Sequence, residues 1–406
     1  MPKNNLFVRL GISKKPFFII FVLLIDTFIW FFINLVIISK TLETNENSLL
    51  AWSIYLIAIV GSSLLSAHAS TWRKRFDFIY IWLFLGIVSS FLLSFLTPNI
   101  PLEFLLSIIF FSGVAFGLGM PATLAYFAEY TAFENRGRIS GIIFLATNLG
   151  IILFALLLGP NLTIDSIVAV LWRGAGLIII VLLRPTEEVG ELRKTISFRS
   201  ILSNRAFILF LIPWFMFCLI DRFHQQIFLN DNPNLVTLSR LAEPVVGTIS
   251  ALVGGILSDW IGRKKVIVFG FVALGLAYAV LGFASGVAFF QYFYIIVDAV
   301  AWGIFLVSFL LVLWGDLSST IGGEEKYYAV GSVPFFIAYL MQYLVKPYIK
   351  NVPAEVSFSF ASLFLFIAVL PLIFAPETLP EKKIQERQLK KYVEEAKKAV
   401  AKEEHA

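Results

Sequence analysis

Twelve stretches of roughly 20 mostly apolar residues, separated by short polar turns, run through the chain from end to end. They fall at 16–38, 49–67, 77–96, 104–127, 139–159, 165–183, 206–229, 241–258, 266–284, 289–315, 328–346 and 356–375. Each is long enough to cross a bilayer as a helix. Inside hydrocarbon only helices or closed barrels satisfy their own backbone groups. Barrel strands alternate apolar and polar residues with a period of two, and these runs do not. The sequence therefore predicts an all-α membrane protein with twelve transmembrane helices. The run at 165–183 is the weakest, because Asp165 and Arg173 interrupt it. A hydrophobic fraction of 59% and a charged fraction of 15% exclude a disordered chain. Cys218 is the single cysteine, which excludes a disulfide scaffold. The apolar run after Lys3, Arg9, Lys14 and Lys15 is too long for a cleaved signal, so the first helix is expected to serve as its own insertion signal.

Charge placement predicts the orientation. With the N-terminus set in the cytoplasm, 26 of the 32 lysines and arginines fall in cytoplasmic segments. Lys40, Arg240, Lys346 and Lys350 fall outside, and Arg173 and Arg222 lie within helices. Such asymmetry is the positive-inside pattern, and it puts both termini in the cytoplasm of a multi-pass cell-membrane protein. The net charge of +5 is thus a topology signal, and no nucleic-acid partner is expected.

The longest polar connection, 184–205, divides the chain into six runs and six runs. Leu24-Ile25-Asp26-Thr27-Phe28 matches Leu219-Ile220-Asp221-Arg222-Phe223, Arg73-Lys74-Arg75 matches Arg263-Lys264-Lys265, and Pro185 matches Pro376, at offsets of 195, 190 and 191. Three matches in one order point to an internal duplication, a known plan for transporters. The expected units are a six-helix bundle at 1–183, a linker at 184–205, a second six-helix bundle at 206–376 and a charged, helical tail at 377–406.

Gly255-Ile256-Leu257-Ser258-Asp259-Trp260-Ile261-Gly262-Arg263-Lys264-Lys265 resembles the loop signature of the major facilitator superfamily, and it sits where that family places its second copy. Glu129 to Gly137 resembles the loop between helices 4 and 5 of the family's sugar and metabolite porters. Trp172-Arg173 and Pro376-Glu377-Thr378 resemble their motifs at helix 6 and after helix 12. The resemblance implies two six-helix bundles that rock about a central cavity lined by helices 1, 4, 7 and 10. It also implies a cytoplasmic gate built from Gly255, Asp259, Gly262, Arg263, Asp316, Glu129 and Arg136. The residues support that reading themselves. Asp259 can accept from a helix N-terminus or pair with a cation, and Arg263 can reach a carboxylate such as Asp316. The first-half copy of the signature has Ala69 at the acid position and Trp72 at the second glycine, so the resemblance carries no gate role into that half.

Charges at mid-membrane depth are costly and mark functional sites by default. Asp26, Asp221 and Asp298 are the candidates for proton coupling, because a carboxylate whose cation or solvent access changes can take or release a proton. The competing reading of each is a static ion pair, for example Asp26 with Arg173 or Asp221 with Arg222. Helical spacing places Asp26, Trp30 and Asn34 on one face, Asp221, His224 and Gln225 on another, and Gln291, Tyr294, Asp298 and Trp302 on a third. With Arg173, the polar and aromatic members of these stripes are the candidate substrate contacts. The pattern suits a small polar organic solute, a sugar or organic acid, carried by proton symport. The alternatives are a proton-coupled exporter of drugs or cations and, from another class, a membrane sensor with a transporter fold. No nucleotide-binding, zinc or redox motif occurs, so neither enzymatic chemistry nor a cofactor or metal is expected. A monomer is expected, with substrate, protons and the lipid bilayer as its partners.

Overall fold

The computed structural model describes Phe7 and residues 10–380 apart from 44, 70–74, 98–99, 186–195, 232, 320 and 350–351; at helical positions 224–231, 233–238, 240–241, 346–347 and 349 only the backbone is described. Twelve helices are long and apolar enough to cross a membrane. In the first half they are α1 (Lys14–Leu42), α2 (Ser48–Ala69), α3 (Arg75–Leu93), α4 (Leu102–Tyr130), α5 (Arg136–Leu157) and α6 (Leu162–Leu183). In the second half they are α7 (Arg205–Asp231), α8 (Pro233–Ile261), α9 (Arg263–Ala284), α10 (Ala288–Ser318), α11 (Glu324–Ile349) and α12 (Ala354–Phe374). The expected all-α, twelve-span architecture is the one observed, with no strand among the described residues.

Helix ends have local chemical causes. Pro101 and Pro353 stand just ahead of α4 and α12, where a missing amide hydrogen costs nothing. The Asn161 side chain caps α6 by accepting from the amides of Thr163 and Ile164. Several helices run past the apolar stretch that announces them. The helix α8 begins at Pro233, whereas hydropathy places its start at 241, because polar residues continue the helix beyond the hydrocarbon.

The first six helices pack chiefly on one another, as do the last six, giving two bundles. The bundles meet along two seams, α5 against α8 and α2 against α11. The outer faces carry exposed apolar side chains such as Phe283, at 92% exposure, and Leu156, at 81%. In a bilayer such faces meet lipid, and so this is a multi-pass membrane protein. Of the connection at 184–205, a short helix, Phe198–Leu202, is described; the Ile196 carbonyl ahead of it accepts from Lys326 Nζ at 2.7 Å. The tail from 381 lies outside the described residues, and the charged helix expected there with it.

Candidate functional site

Three features lie along the seam between the bundles or close to it: an ion-pair network at one end, an apolar cavity at mid-depth, and a charged cluster farther along the second bundle. The network occupies the basic end, where the start of α3 and the turns α4–α5 and α8–α9 meet the start of α11 and the segment after α12. The Asp259 carboxylate accepts from the backbone amides of Gly137 and Arg138, both at 2.9 Å, which open α5. It also pairs with Arg138 at 3.1 Å and Arg263 at 2.8 Å. Asp316 is shared between Arg136 of the first bundle, at 2.5 Å, and Arg263 of its own, at 3.2 Å. Arg263 further donates to the Phe133 carbonyl across the seam. Arg136, Arg263, Asp259 and Asp316 are buried, so these pairs act in a low dielectric and hold the two bundles together at this end.

The segment after α12 joins the network. The Glu377 carboxylate accepts from the amides of Arg263 and Lys264 and so caps α9, while Thr378 Oγ1 donates to Asp316 Oδ2 at 3.0 Å. Gly262 is in the left-handed region, with φ of 105°, and a β-carbon there would lie 2.4 Å from Glu377 Oε2. Gly255 serves a different need. A β-carbon at that position would lie 2.3 Å from the Gly137 carbonyl oxygen, so the α5–α8 seam closes only because both residues are bare backbone. A Gly255→Val variant is expected to hold this end ajar. An impermeant maleimide, added on that side, should then label a cysteine placed in the α5–α8 seam faster than in the parent protein; equal rates would contradict the close-approach argument.

The structure brings together all seven gate residues read from sequence. It adds Arg75, Arg138, Glu325, Glu377 and Gly137. Arg75 is buried at the start of α3, makes a bidentate pair with Glu129 at 2.6 Å for both bonds, and reaches Glu325 across the seam at 2.8 Å. The first-half copy of the loop signature, into which the resemblance carried no gate role, thus contributes Arg75 to the contacts across the seam. Arg75 opens α3 and meets the acid near the end of α4, as Arg263 opens α9 and meets the acid near the end of α10. The structural counterpart of Arg263 is thus Arg75, at an offset of 188, and the sequence match of Arg73 with Arg263 is two residues out of register. Trp72, Arg73 and Lys74 lie outside the described residues.

The mid-depth cavity has a volume of about 220 Å³ and draws its walls from both bundles. Phe28, Phe31, Phe32, Phe116, Phe144, Phe335 and Phe336 dominate it, with Leu306 and Leu310 of α10. Its polar residues are Thr147, Asn148 and Ser332. The face of α1 turned to this cavity is therefore Phe28, Phe31, Phe32 and Leu35, which corrects the expectation that Asp26, Trp30 and Asn34 line it.

Asp26 and Trp30 turn into the first bundle instead. The Arg173 guanidinium, at 0% exposure, pairs with Asp26 and lies between the rings of Trp30 and Trp82, at 4.3 and 4.1 Å from their centroids. Trp30 Nε1 donates to Ser90 Oγ at 2.7 Å. Glycines leave room for the charges: a β-carbon would fall 2.7 Å from Arg173 Nε at Gly86 and 2.4 Å from Asp26 Oδ1 at Gly176. Asn34 is buried and is not among the residues that line the cavity. The static-pair alternative for Asp26 and Arg173 is the one the geometry realises.

The second bundle holds a different arrangement. Asp221 pairs with its neighbour Arg222 at 2.9 Å and accepts from Trp302 Nε1 at 2.8 Å. The Arg222 guanidinium lies over Tyr339 at 4.6 Å and Trp302 at 5.6 Å. Asp298 accepts from the Tyr294 hydroxyl and lies within electrostatic reach of Asp221, Arg222 and Glu243; the Tyr278 and Tyr294 hydroxyls are 3.3 Å apart. Among the described residues, three carboxylates thus lie within electrostatic reach of one guanidinium. Trp302 lies one helical turn from Leu306, and Tyr339 one turn from Phe335, so the cluster adjoins the cavity on the side away from the basic end. Glu243 was missed in the sequence because hydropathy starts the helix only two residues earlier, and it reads there as a boundary residue. Gln291 is not on the cavity wall: its Nε2 donates to the Ser285 carbonyl at 2.6 Å, closing the α9–α10 turn. The side chains of His224 and Gln225 lie outside the described residues.

Comparisons with known proteins agree with this architecture. The sequence profile described as Major Facilitator Superfamily matches residues 17–314. None of the curated proteins matches the chain by sequence. Among solved structures, a bacterial homologue of the iron transporter ferroportin in an outward-facing state superposes with a TM-score of 0.68 at 16% identity, covering 89% of this chain and 98% of that one. The E. coli fucose:proton symporter gives a TM-score of 0.68 at 11% identity over 89% and 98%. A proton:xylose symporter gives 0.67 at 16% identity over 89% and 96%.

Proposed function

The chain belongs to the major facilitator superfamily, and on that premise we propose that it is a secondary active transporter which exchanges a small amphipathic organic cation for protons by alternating access. The observation that carries the substrate class is the pairing of a phenylalanine-lined cavity with an adjoining cluster that has, among the described residues, three acids for one arginine. An apolar body fits the cavity. A sugar would leave several hydroxyls facing rings, each unmade hydrogen bond costing about 1–3 kcal/mol. An ammonium or related cation is drawn to aromatic faces and to the excess carboxylate nearby. The proposed moving units are 1–183 and 206–376, joined through 184–205, with the basic end and both termini in the cytoplasm. On this reading the network of Arg75, Arg136, Asp259, Arg263 and Asp316 is the cytoplasmic gate. Protons exchange at Asp221, Glu243 and Asp298, and Asp26 is a fixed structural charge. Proton symport of a sugar or organic acid is the second reading, favoured by the loop motifs and by the two proton-coupled sugar symporters of the same fold. The sensor reading rests on the degraded first-half motif, and the pairing of Arg75 with Glu129 in that half weighs against it.

Purified protein in liposomes with an imposed pH gradient tests the assignment. Counterflow of aromatic amines or quaternary ammonium ions is expected, and Asp298→Asn or Glu243→Gln should reduce its proton-driven component at least tenfold. Counterflow confined to hexoses, pentoses or carboxylic acids would replace the proposal with the second reading. Binding without any counterflow would restore the sensor.

A further inference from the structure

Helix α10 touches all three features. Asp298 and Trp302 belong to the charged cluster, Leu306 and Leu310 to the cavity wall, and Asp316 to the ion-pair network. Between its outer part, Ala288–Phe305, and its inner part, Leu313–Ser318, the helix is in π form over Leu306–Val312. The Leu313 amide donates to the Ser308 carbonyl, five residues back, where an α-helix would bond four back. A π segment inserts residues without advancing the helix in step, so it sets the angle between the outer and inner parts of α10.

Nothing in the local sequence demands this form. Residues 306–312 are Leu-Val-Ser-Phe-Leu-Leu-Val, with no proline or glycine to break an α ladder. The neighbours supply the reason. The outer part is fixed, because Gly303 packs backbone to backbone on α8, where a β-carbon would lie 2.5 Å from the Gly247 carbonyl oxygen and 2.7 Å from the Ala251 nitrogen. On the inner side the Tyr328 hydroxyl of α11 donates to the Leu311 carbonyl at 2.5 Å. Tyr328 is buried at 1% exposure, and its hydroxyl would touch a β-carbon at Gly315, the residue before Asp316. A side chain from another helix therefore satisfies a carbonyl within the wide turn, one helical turn from the acid that Arg136 and Arg263 share.

We propose that Tyr328 is a positioning residue which holds helix α10 in its π form, and that this form is what aims Asp316 at Arg136 and Arg263. With the hydroxyl removed, the segment relaxes toward α geometry. One residue of register corresponds to a rotation of roughly 100°, enough to turn Asp316 away from both arginines while Trp302 keeps its bond to Asp221. Register in α10 is then the physical link between the charged cluster and the gate: a change at either end is felt at the other through the number of residues in the turn between them. The inference rests on the gate geometry and not on the substrate assignment.

The test is a double-mutant cycle in the full-length protein with Cys218→Ala and a reporter cysteine, Asn148→Cys, on the cavity wall. An impermeant maleimide is added to inside-out vesicles, and labelling rates are compared for the parent, Tyr328→Phe, Asp316→Asn and the double variant. Tyr328→Phe should raise the rate at least fivefold, and it should add nothing once Asp316→Asn is present, because both act on the same pair. Unchanged labelling by Tyr328→Phe, or effects that multiply in the double variant, would overturn the proposal, since loose packing alone gives independent effects. Should Tyr328→Phe fail to accumulate, hydrogen exchange on the parent and Asp316→Asn proteins decides. Faster exchange confined to 306–318 supports the switch, and exchange that rises evenly along α10 or nowhere in it refutes it.

Discussion

Asp316→Asn is expected to open the basic end of the protein by about two to four powers of ten in the ratio of open to closed forms. Asp316 accepts from guanidiniums of both bundles, Arg136 and Arg263, and it also takes the Thr378 hydroxyl. Asparagine keeps the shape and loses the charge, leaving the two buried arginines short of one acid, with Asp259 bonded to Arg263. Stranding a buried charge in this way costs about 3–5 kcal/mol. The penalty falls only on the closed form, because in the open form the arginines meet water. The shift appears directly as accessibility of the cavity cysteine at position 148 from that side, and as a transport cycle stalled in exchange. Glu325→Gln is the control. Arg75 loses its contact across the seam but keeps both bonds to Glu129, so the expected shift is a tenth or less of that at Asp316. Equal labelling in Asp316→Asn and the parent protein would show that the network decorates a gate closed by packing alone.

The ion-pair network was legible in the sequence because its chemistry is local. The run from Gly255 to Lys265 carries the close-approach glycine, the acid, the left-handed turn and the arginine within eleven residues. Its partners, Asp316 and Arg136, could be inferred from helix ends alone. The cavity was not legible, for a reason that α1 makes plain. Helical periodicity shows that Asp26, Trp30 and Asn34 share a face, but it cannot say whether that face meets the other bundle or the bundle's own interior. A charge at mid-depth looks the same in either place. Here the interior carries its own arginine, between Trp30 and Trp82, and the cavity receives the phenylalanines that hydropathy alone would send to lipid. Glu243 was hidden by the opposite effect, because a polar residue near the edge of an apolar run reads as the end of the helix. The π segment leaves no compositional trace, since its cause is a hydroxyl on another helix.

The ion pair inside the first bundle should behave as a structural keystone, and its removal should separate stability from proton coupling. Asp26→Asn leaves Arg173 at 0% exposure without its carboxylate, and Arg173→Met leaves Asp26 without its cation. Each single change is expected to destabilise the protein by about 3–5 kcal/mol. The double variant, Asp26→Leu with Arg173→Met, removes both charges and returns apolar volume to a site bounded by Trp30, Trp82, Gly86 and Gly176. Such replacements are close to neutral in stability elsewhere, less here by the cation–aromatic attraction, about 2 kcal/mol when desolvated. Thermal unfolding in detergent should therefore rank parent, double variant and single variants in that order. The same double variant in liposomes should keep the pH dependence of transport, because the groups proposed to exchange protons, Asp221, Glu243 and Asp298, lie in the other bundle. A double variant that folds as well as the parent yet transports without regard to pH would reverse this assignment and make Asp26 the coupling group. Single variants as stable as the parent would mean that the pair is hydrated, and that the glycines at 86 and 176 serve to admit water where the packing shows only charge against backbone.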